Sequence, residues 1–176
     1  GQALVLNGQD QYMRLATARV KKLTSFTFAS WVRWNGEGGN TLLTFYRNEN
    51  YCLTVSMRGK NETDGLSVKL VLPDRDPLVL TKTAPEGSTF AFPTNEWHHI
   101  AVSVSAAELT VYVDGVAYLS QPIELDFKAV ALDKFRIGTG LTPKPALGAA
   151  FQDARLYTTV LPADQIALLA QDKEPG

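Results

Sequence analysis

One cysteine, two histidines and no long apolar run set the first limits on this sequence. Cys52 is the only cysteine among 176 residues, so no disulfide can form within the chain. Its neighbours Tyr51, Leu53, Val55 and Met57 alternate around it. Such a pattern predicts an inert strand residue, since a reactive thiol needs a lowered pKa. No apolar run approaches the roughly 20 residues that span a bilayer, which excludes a helical membrane anchor within this sequence. Charge of one sign is also missing: 17 basic against 18 acidic residues give a net charge of -1. The chain therefore lacks the cationic excess that neutralises nucleic-acid phosphates. His98 and His99 are adjacent, so on a strand they point to opposite faces and cannot chelate one metal together. There is no CxxC pair, no Walker loop, no dinucleotide-binding glycine pattern and no Gly-x-Ser-x-Gly nucleophile elbow.

What is present is period-two alternation, the mark of half-buried strands. Phe26, Phe28, Ser30, Val32 and Trp34 share one face of a segment that puts Trp31 on the other. Leu66, Val68, Leu70 and Leu72 alternate with Ser67, Lys69 and Val71. Ile100–Ser105, Leu109–Val113 and Val116–Ser120 read as a meander, closed at one end by the tight-turn dipeptide Asp114-Gly115. Shorter strands are expected near Ala3–Leu6, Tyr12–Leu15, Thr41–Arg47, Tyr51–Arg58, Leu78–Lys82, Phe135–Gly138 and Phe151–Tyr157. Loops are marked by 35–40, 59–65, 73–77 and 85–93, rich in glycine, proline and asparagine. One helix is expected over Pro162–Gln171, with proline at its start and Ile166, Leu169 and Ala170 at helical spacing. So many short strands argue for an all-β, two-sheet antiparallel sandwich with one short C-terminal helix. Residues 1–171 form one module and 172–176 a linker or cut edge. Gly1 at the start fits a piece of a larger protein.

Several local patterns, in this order, resemble the laminin-G-like jelly roll of the concanavalin A-like superfamily. The most specific is Glu96-Trp97-His98-His99-Ile100-Ala101-Val102 followed by Leu109-Thr110-Val111-Tyr112-Val113-Asp114-Gly115. Ala3-Leu4-Val5-Leu6-Asn7-Gly8 with Tyr12, Phe26-Thr27-Phe28-Ala29-Ser30-Trp31-Val32, and Phe151-Gln152-Asp153-Ala154-Arg155-Leu156-Tyr157 resemble its opening, second and closing strands. These are framework motifs, which fix a fold better than a function. The resemblance implies that Trp31 and Trp97 are core residues. It also implies a calcium ion on Asn7, Asp10 and Asp153, the only cofactor it suggests; Asn7 stands where the family has an acid.

Enzymatic members of that superfamily carry a Glu-x-Asp-x-Glu or Glu-x-Asp-x-x-Glu triplet on one inner strand. Glu124-Leu125-Asp126-Phe127 begins that pattern, but Lys128 and Ala129 follow where the acid/base glutamate belongs. Retaining hydrolysis needs two carboxyl groups in different roles, so these read as solvated acids. The favoured expectation is a non-catalytic recognition module of an exported protein, with carbohydrate the leading partner. A protein-interaction or spacer module is the alternative, and a degenerate hydrolase a more distant one. Sugar faces stack on aromatic rings, and Trp34, beside the glycine-rich 36–39 segment, Tyr46 and Tyr112 are the candidate ligand-binding residues. Asn61-Glu62-Thr63 spells a glycosylation acceptor, a triplet that arises often by chance.

Overall fold

The computed structural model describes residues 3–57, 65–81 and 92–172. Most of the 59–65 and 85–93 loops, the Asn61 acceptor and nearly all of the 172–176 tail lie outside the described residues. Among the described residues twelve strands form two antiparallel six-stranded sheets. In chain order they are β1 (Leu4–Asn7), β2 (Met13–Arg14), β3 (Phe26–Gly38), β4 (Thr41–Asn48), β5 (Tyr51–Met57), β6 (Leu66–Val71), β7 (Leu78–Thr81), β8 (Trp97–Val104), β9 (Glu108–Val113), β10 (Val116–Pro122), β11 (Lys134–Ile137) and β12 (Leu147–Tyr157). The first sheet runs β1-β12-β3-β8-β9-β10 and the second β2-β11-β4-β5-β6-β7. The alternation thus marks strand positions correctly, and the meander is β8-β9-β10 as expected.

Among the described residues three helices are present where one was expected. The expected one, α3 (Ala163–Gln171), begins directly after Pro162. The others, α1 (Thr17–Val20) and α2 (Phe127–Val130), are single turns too short to leave a helical period in the sequence. Each buries one apolar side chain, Val20 and Phe127 respectively. The 36–39 segment is likewise not a simple loop. Strand β3 continues to Gly38, with Gly36 and Gly38 at φ 80 and 73. At Gly38 a side chain would collide with the carbonyl oxygens of Gly8 and Ala146. Glycine is therefore required there for close backbone approach.

The core lies between the sheets. Phe26 of the first sheet packs edge-on against Phe45 and Phe135 of the second, with ring centroids 5.6 and 5.5 Å away. All three are fully buried. Edge-to-face contact suits the ring quadrupoles and adds to the area term. Around them sit Leu43, Leu53, Val55, Val68, Ile100, Val102, Leu109, Val111 and Phe151.

The outer face of the first sheet is covered by α3. Ala29 of β3, Ala101 of β8 and Tyr112 of β9 lie in one cross-strand row, and Ile166 packs on them. The two alanines leave room for a helix. Gly115 does the same at the sheet edge, where a Cβ would come within 3.1 Å of Ala167 and Ala170. The outer face of the second sheet has no helix across it among the described residues, and this is the face that matters below.

Candidate functional site

Cross-strand register places the exposed side of the second sheet residue by residue. One row reads Arg14, Arg136, Thr44, Thr54, Lys69, Val79 across all six strands. A second reads Lys134, Tyr46, Cys52, Val71, and a third Thr41, Ser56, Ser67, Thr81. Their strand neighbours Phe135, Ile137, Leu43, Phe45, Leu53, Val55, Val68 and Leu70 point into the core. Period two forces the named positions outward.

A groove of about 700 Å³ crosses this face. Its floor is Thr54, Ser56, Ser67, Lys69 and Val71, with Cys52 at one end, and the segment from Gly140 to Pro145 stands beside it. That wall is held from behind by Arg136, whose Nη1 donates to the carbonyl oxygens of Gly140 and Leu141 at 3.1 and 3.2 Å. The same guanidinium lies 5.2 and 5.4 Å from the ring centroids of Tyr46 and Tyr12. Cation–π contact of this kind fixes an arginine that lacks a carboxylate partner. Beneath Gly140 the Thr44 hydroxyl is fully buried and makes no hydrogen bond. Burial pushes the Cys52 thiol above its ordinary pKa, and nearby Lys69 offsets part of that. It lies on the groove face with its thiolate disfavoured by burial.

The three candidate aromatic residues do not form a ligand platform, because all three are buried at 4, 6 and 9% exposure for Trp34, Tyr46 and Tyr112. Trp34 points into the core beside Phe92. Its place next to a glycine-rich segment suggested exposure, but the strand runs on past it and keeps its inward parity. Tyr112 is under α3. Tyr46 is on the grooved face, opposite Cys52, yet Arg136 and Lys134 overlie its ring. The groove lining contains hydroxyls, an asparagine, two lysines, a glutamate and aliphatic groups, and among the described residues no aromatic ring. Sequence patterning carried a signal for these floor residues: Thr54, Ser56, Ser67 and Lys69 are the polar alternates of strands β5 and β6.

The proposed metal ligands are also not one site. Asn7 Oδ1 accepts from the backbone N–H groups of Gln9, Asp10 and Gln11, and its Nδ2 donates to Asp10 Oδ1 at 2.8 Å. Asn7 is thus committed to closing its own turn. Asn7 pairs with Gly148, whereas Asp153 lies five residues further along β12. At about 3.3 Å per residue that separates the two by roughly 15 Å. A calcium ligand shell of 2.3–2.6 Å bonds cannot include both. Among the described residues no cluster of three acidic, histidine or cysteine side chains is placed to hold a metal.

His98 and His99 do face opposite ways. The carboxylate of Asp114 joins them: Oδ2 meets His98 Nδ1 at 2.7 Å and Oδ1 accepts from the His99 backbone N–H at 2.9 Å. Glu96 contacts the other ring nitrogen of His98 at 3.1 Å. Burial alone would push the His98 pKa down, but these two carboxylates outweigh it and hold the imidazole above its ordinary value. His99 is buried edge-on against Trp31, and burial pushes its pKa down. Trp31 is buried as expected, whereas Trp97 is only half-buried. Asp126 caps α2 through the Ala129 N–H, and Glu124 is exposed on the same connection. Neither acid is on a strand, so the Glu-x-Asp pair has no place on an inner strand face.

Strongly similar architectures occur among solved structures. Domain 4 of AbnA, an extracellular GH43 arabinanase from Geobacillus stearothermophilus, in complex with arabinotriose, matches with a TM-score of 0.75 and 23% identity over 97% of this chain and 77% of that one. The CBM40 of the Ruminococcus gnavus IT-sialidase, bound to α2,3-sialyllactose, matches at 0.74 and 14% over 97% of both chains. The heptameric SAP-like pentraxin of Limulus polyphemus matches at 0.58 and 11% over 85% of this chain and 70% of that one. No match was found among curated proteins. At these identities the likeness concerns the fold. The sequence itself, from residue 7 to residue 167, fits the family model of the concanavalin A-like lectin/glucanases superfamily, and the chain belongs to that superfamily.

Proposed function

We propose that this chain is a glycan-recognition module of a larger extracytoplasmic protein and that it binds through the groove on the outer face of its second sheet. The observation that carries this reading is the set of hydroxyl and amide groups, Asn40, Thr41, Thr54, Ser56 and Ser67, which lines one open groove beside aliphatic Val71, Val79 and Leu141. Sugars present alternating hydroxyls and C–H faces, and a lining of that mixed kind matches both. Two architectural neighbours were solved with an oligosaccharide, and one of them belongs to an extracellular enzyme. Non-catalytic binding is favoured by the groove's acids: of the lining residues only Glu49 is one, and both hydrolytic mechanisms use two.

The test is titration calorimetry against a panel of oligosaccharides, with and without calcium, on the wild type and on Thr54→Trp. The indole would fill the groove from its half-buried centre. Loss of sugar binding with an unchanged circular dichroism spectrum is the expected result. Binding that survives Thr54→Trp but is abolished by Arg75→Ala would move the site to the clefts on either side of Arg75, between Leu78 and Phe127.

A further inference from the structure

The charges on the grooved face are segregated. Its outward strand positions hold Arg14, Arg136, Lys134 and Lys69, and not one of the positions in the three rows is Asp or Glu. The whole chain carries slightly more acid than base, so this face has gathered cations that the composition does not supply in excess. Lys144 adds a further one from the groove wall. Among the described residues the acids nearby are Glu49 in the groove lining and Asp133, whose carboxylate is paired with Lys134 at 2.9 Å. Arg14 and Arg136 are direct cross-strand partners, an arrangement of like charges that is ordinarily destabilising. Among the described residues none of Arg14, Arg136, Lys69 and Lys144 has a carboxylate partner.

Inside the groove two cations share the lining with the hydroxyl groups. Lys69 rises from the floor on β6 and Lys144 from the wall. Thr54 is the direct cross-strand partner of Lys69, and Ser56 and Ser67 pair with each other two residues along the same strands. A flat cationic face would attract any polyanion by field alone. Here the charges instead line the same groove as neutral hydrogen-bonding groups, in a space large enough for a short oligosaccharide, so an anionic group and a neutral ring can be read together.

We infer that the glycan taken by this groove is anionic, carrying a carboxylate or sulfate group that Lys69 and Lys144 engage. This rests on the groove being the glycan site, and it adds the class of sugar. Neutral oligosaccharides of the same backbone fill the same space but leave both ammonium groups unpaired. Charge-assisted hydrogen bonds contribute roughly twice what neutral ones do.

Matched pairs separate the possibilities: lactose against α2,3-sialyllactose, a galacto-oligosaccharide against an oligogalacturonate, and a neutral against a sulfated disaccharide, each titrated into the wild type, Lys69→Gln, Lys144→Gln and the control Lys128→Gln. The expected result is at least about tenfold tighter binding of one acidic member over its neutral partner, the scale of one good charge-assisted contact. That preference should shrink in Lys69→Gln and Lys144→Gln, persist in Lys128→Gln, and fall with added salt. The arms tell carboxylate from sulfate. Equal binding of neutral and acidic members, lost only in Thr54→Trp, would overturn the charge inference and leave the groove reading intact. No binding by any member would overturn the groove reading and this inference with it.

Discussion

Asp114 offers the sharpest test of how this sequence holds its fold. It stands at φ 52 with Gly115 at φ 82, the pair of left-handed residues that a two-residue hairpin between β9 and β10 requires. Aspartate tolerates that region better than alanine does, a difference of several tenths to about 1 kcal/mol. Its carboxylate also holds the His99 backbone N–H and the His98 ring. A hydrogen bond to a charged group contributes about 1.5–3 kcal/mol when sheltered. With the Asp114 side chain 49% and the His98 side chain 20% exposed, solvent screening puts the ion pair at about 1 kcal/mol or less. Asp114→Ala is therefore expected to cost about 2–3 kcal/mol, or roughly 5–10 °C in Tm for a domain of this length. Asp114→Asn keeps an acceptor for His99 and the left-handed preference, so it should lose about 1 kcal/mol. The pH dependence separates the two roles. His98 has its pKa raised in the folded state, so its contribution is complete below about pH 6.5, the unfolded value, and is lost as pH rises through the folded pKa. His99 is shifted the other way, and its effect is a loss of stability as pH falls below about 6.5. Urea melts between pH 6 and 9 should show wild-type stability declining above pH 6.5, with a smaller decline in Asp114→Asn. An Asp114→Ala protein within about 0.5 kcal/mol of wild type, or an unchanged slope in Asp114→Asn, would refute this account of the turn.

Three further outcomes are expected. Phe45→Ala, which opens the cross-sheet ring cluster, should cost about 3–5 kcal/mol by chemical denaturation; a smaller loss would mean that the two sheets are not joined there. Calcium should produce no rise in Tm that depends on Asp153, so Asp153→Ala and the wild type should respond alike to calcium and EDTA in a thermal melt. Cys52 should react slowly with an aromatic disulfide reagent at pH 7–8, because burial disfavours its thiolate, and a bound groove ligand should slow it further; rapid labelling in the native state would show the groove floor more open than described.

The fold was legible because its signals are redundant. Alternation in Phe26–Trp34 and Ile100–Val104 fixes which side of each strand faces inward, and the aspartate of Asp114-Gly115 both makes the turn and anchors the two histidines. The short helices were not legible: one turn, as in Phe127–Val130, is made by a capping carboxylate and a single buried ring, and neither has a period.

The burial of Trp34, Tyr46 and Tyr112 has a different physical reason. Aromatic residues stand out in the sequence as a sugar platform because they are the side chains that stack on sugars. Yet an aromatic ring is also what a sandwich core takes up first, and a strand's parity decides between the two. Trp34 is two residues from Val32 and four from Ser30, so it shares the inward side of β3 whatever loop follows it. The same parity argument, applied to the polar alternates, would have found the groove. Ser67 and Lys69 must face away from Leu66, Val68 and Leu70, and Thr54 and Ser56 away from Leu53 and Val55. What the sequence alone could not supply is the pairing of β5 with β6 and of β4 with β11 across connections of very different length. That pairing brings Thr44, Thr54 and Lys69 into one line and sets Arg136 behind the wall, and so turns scattered polar residues into one surface.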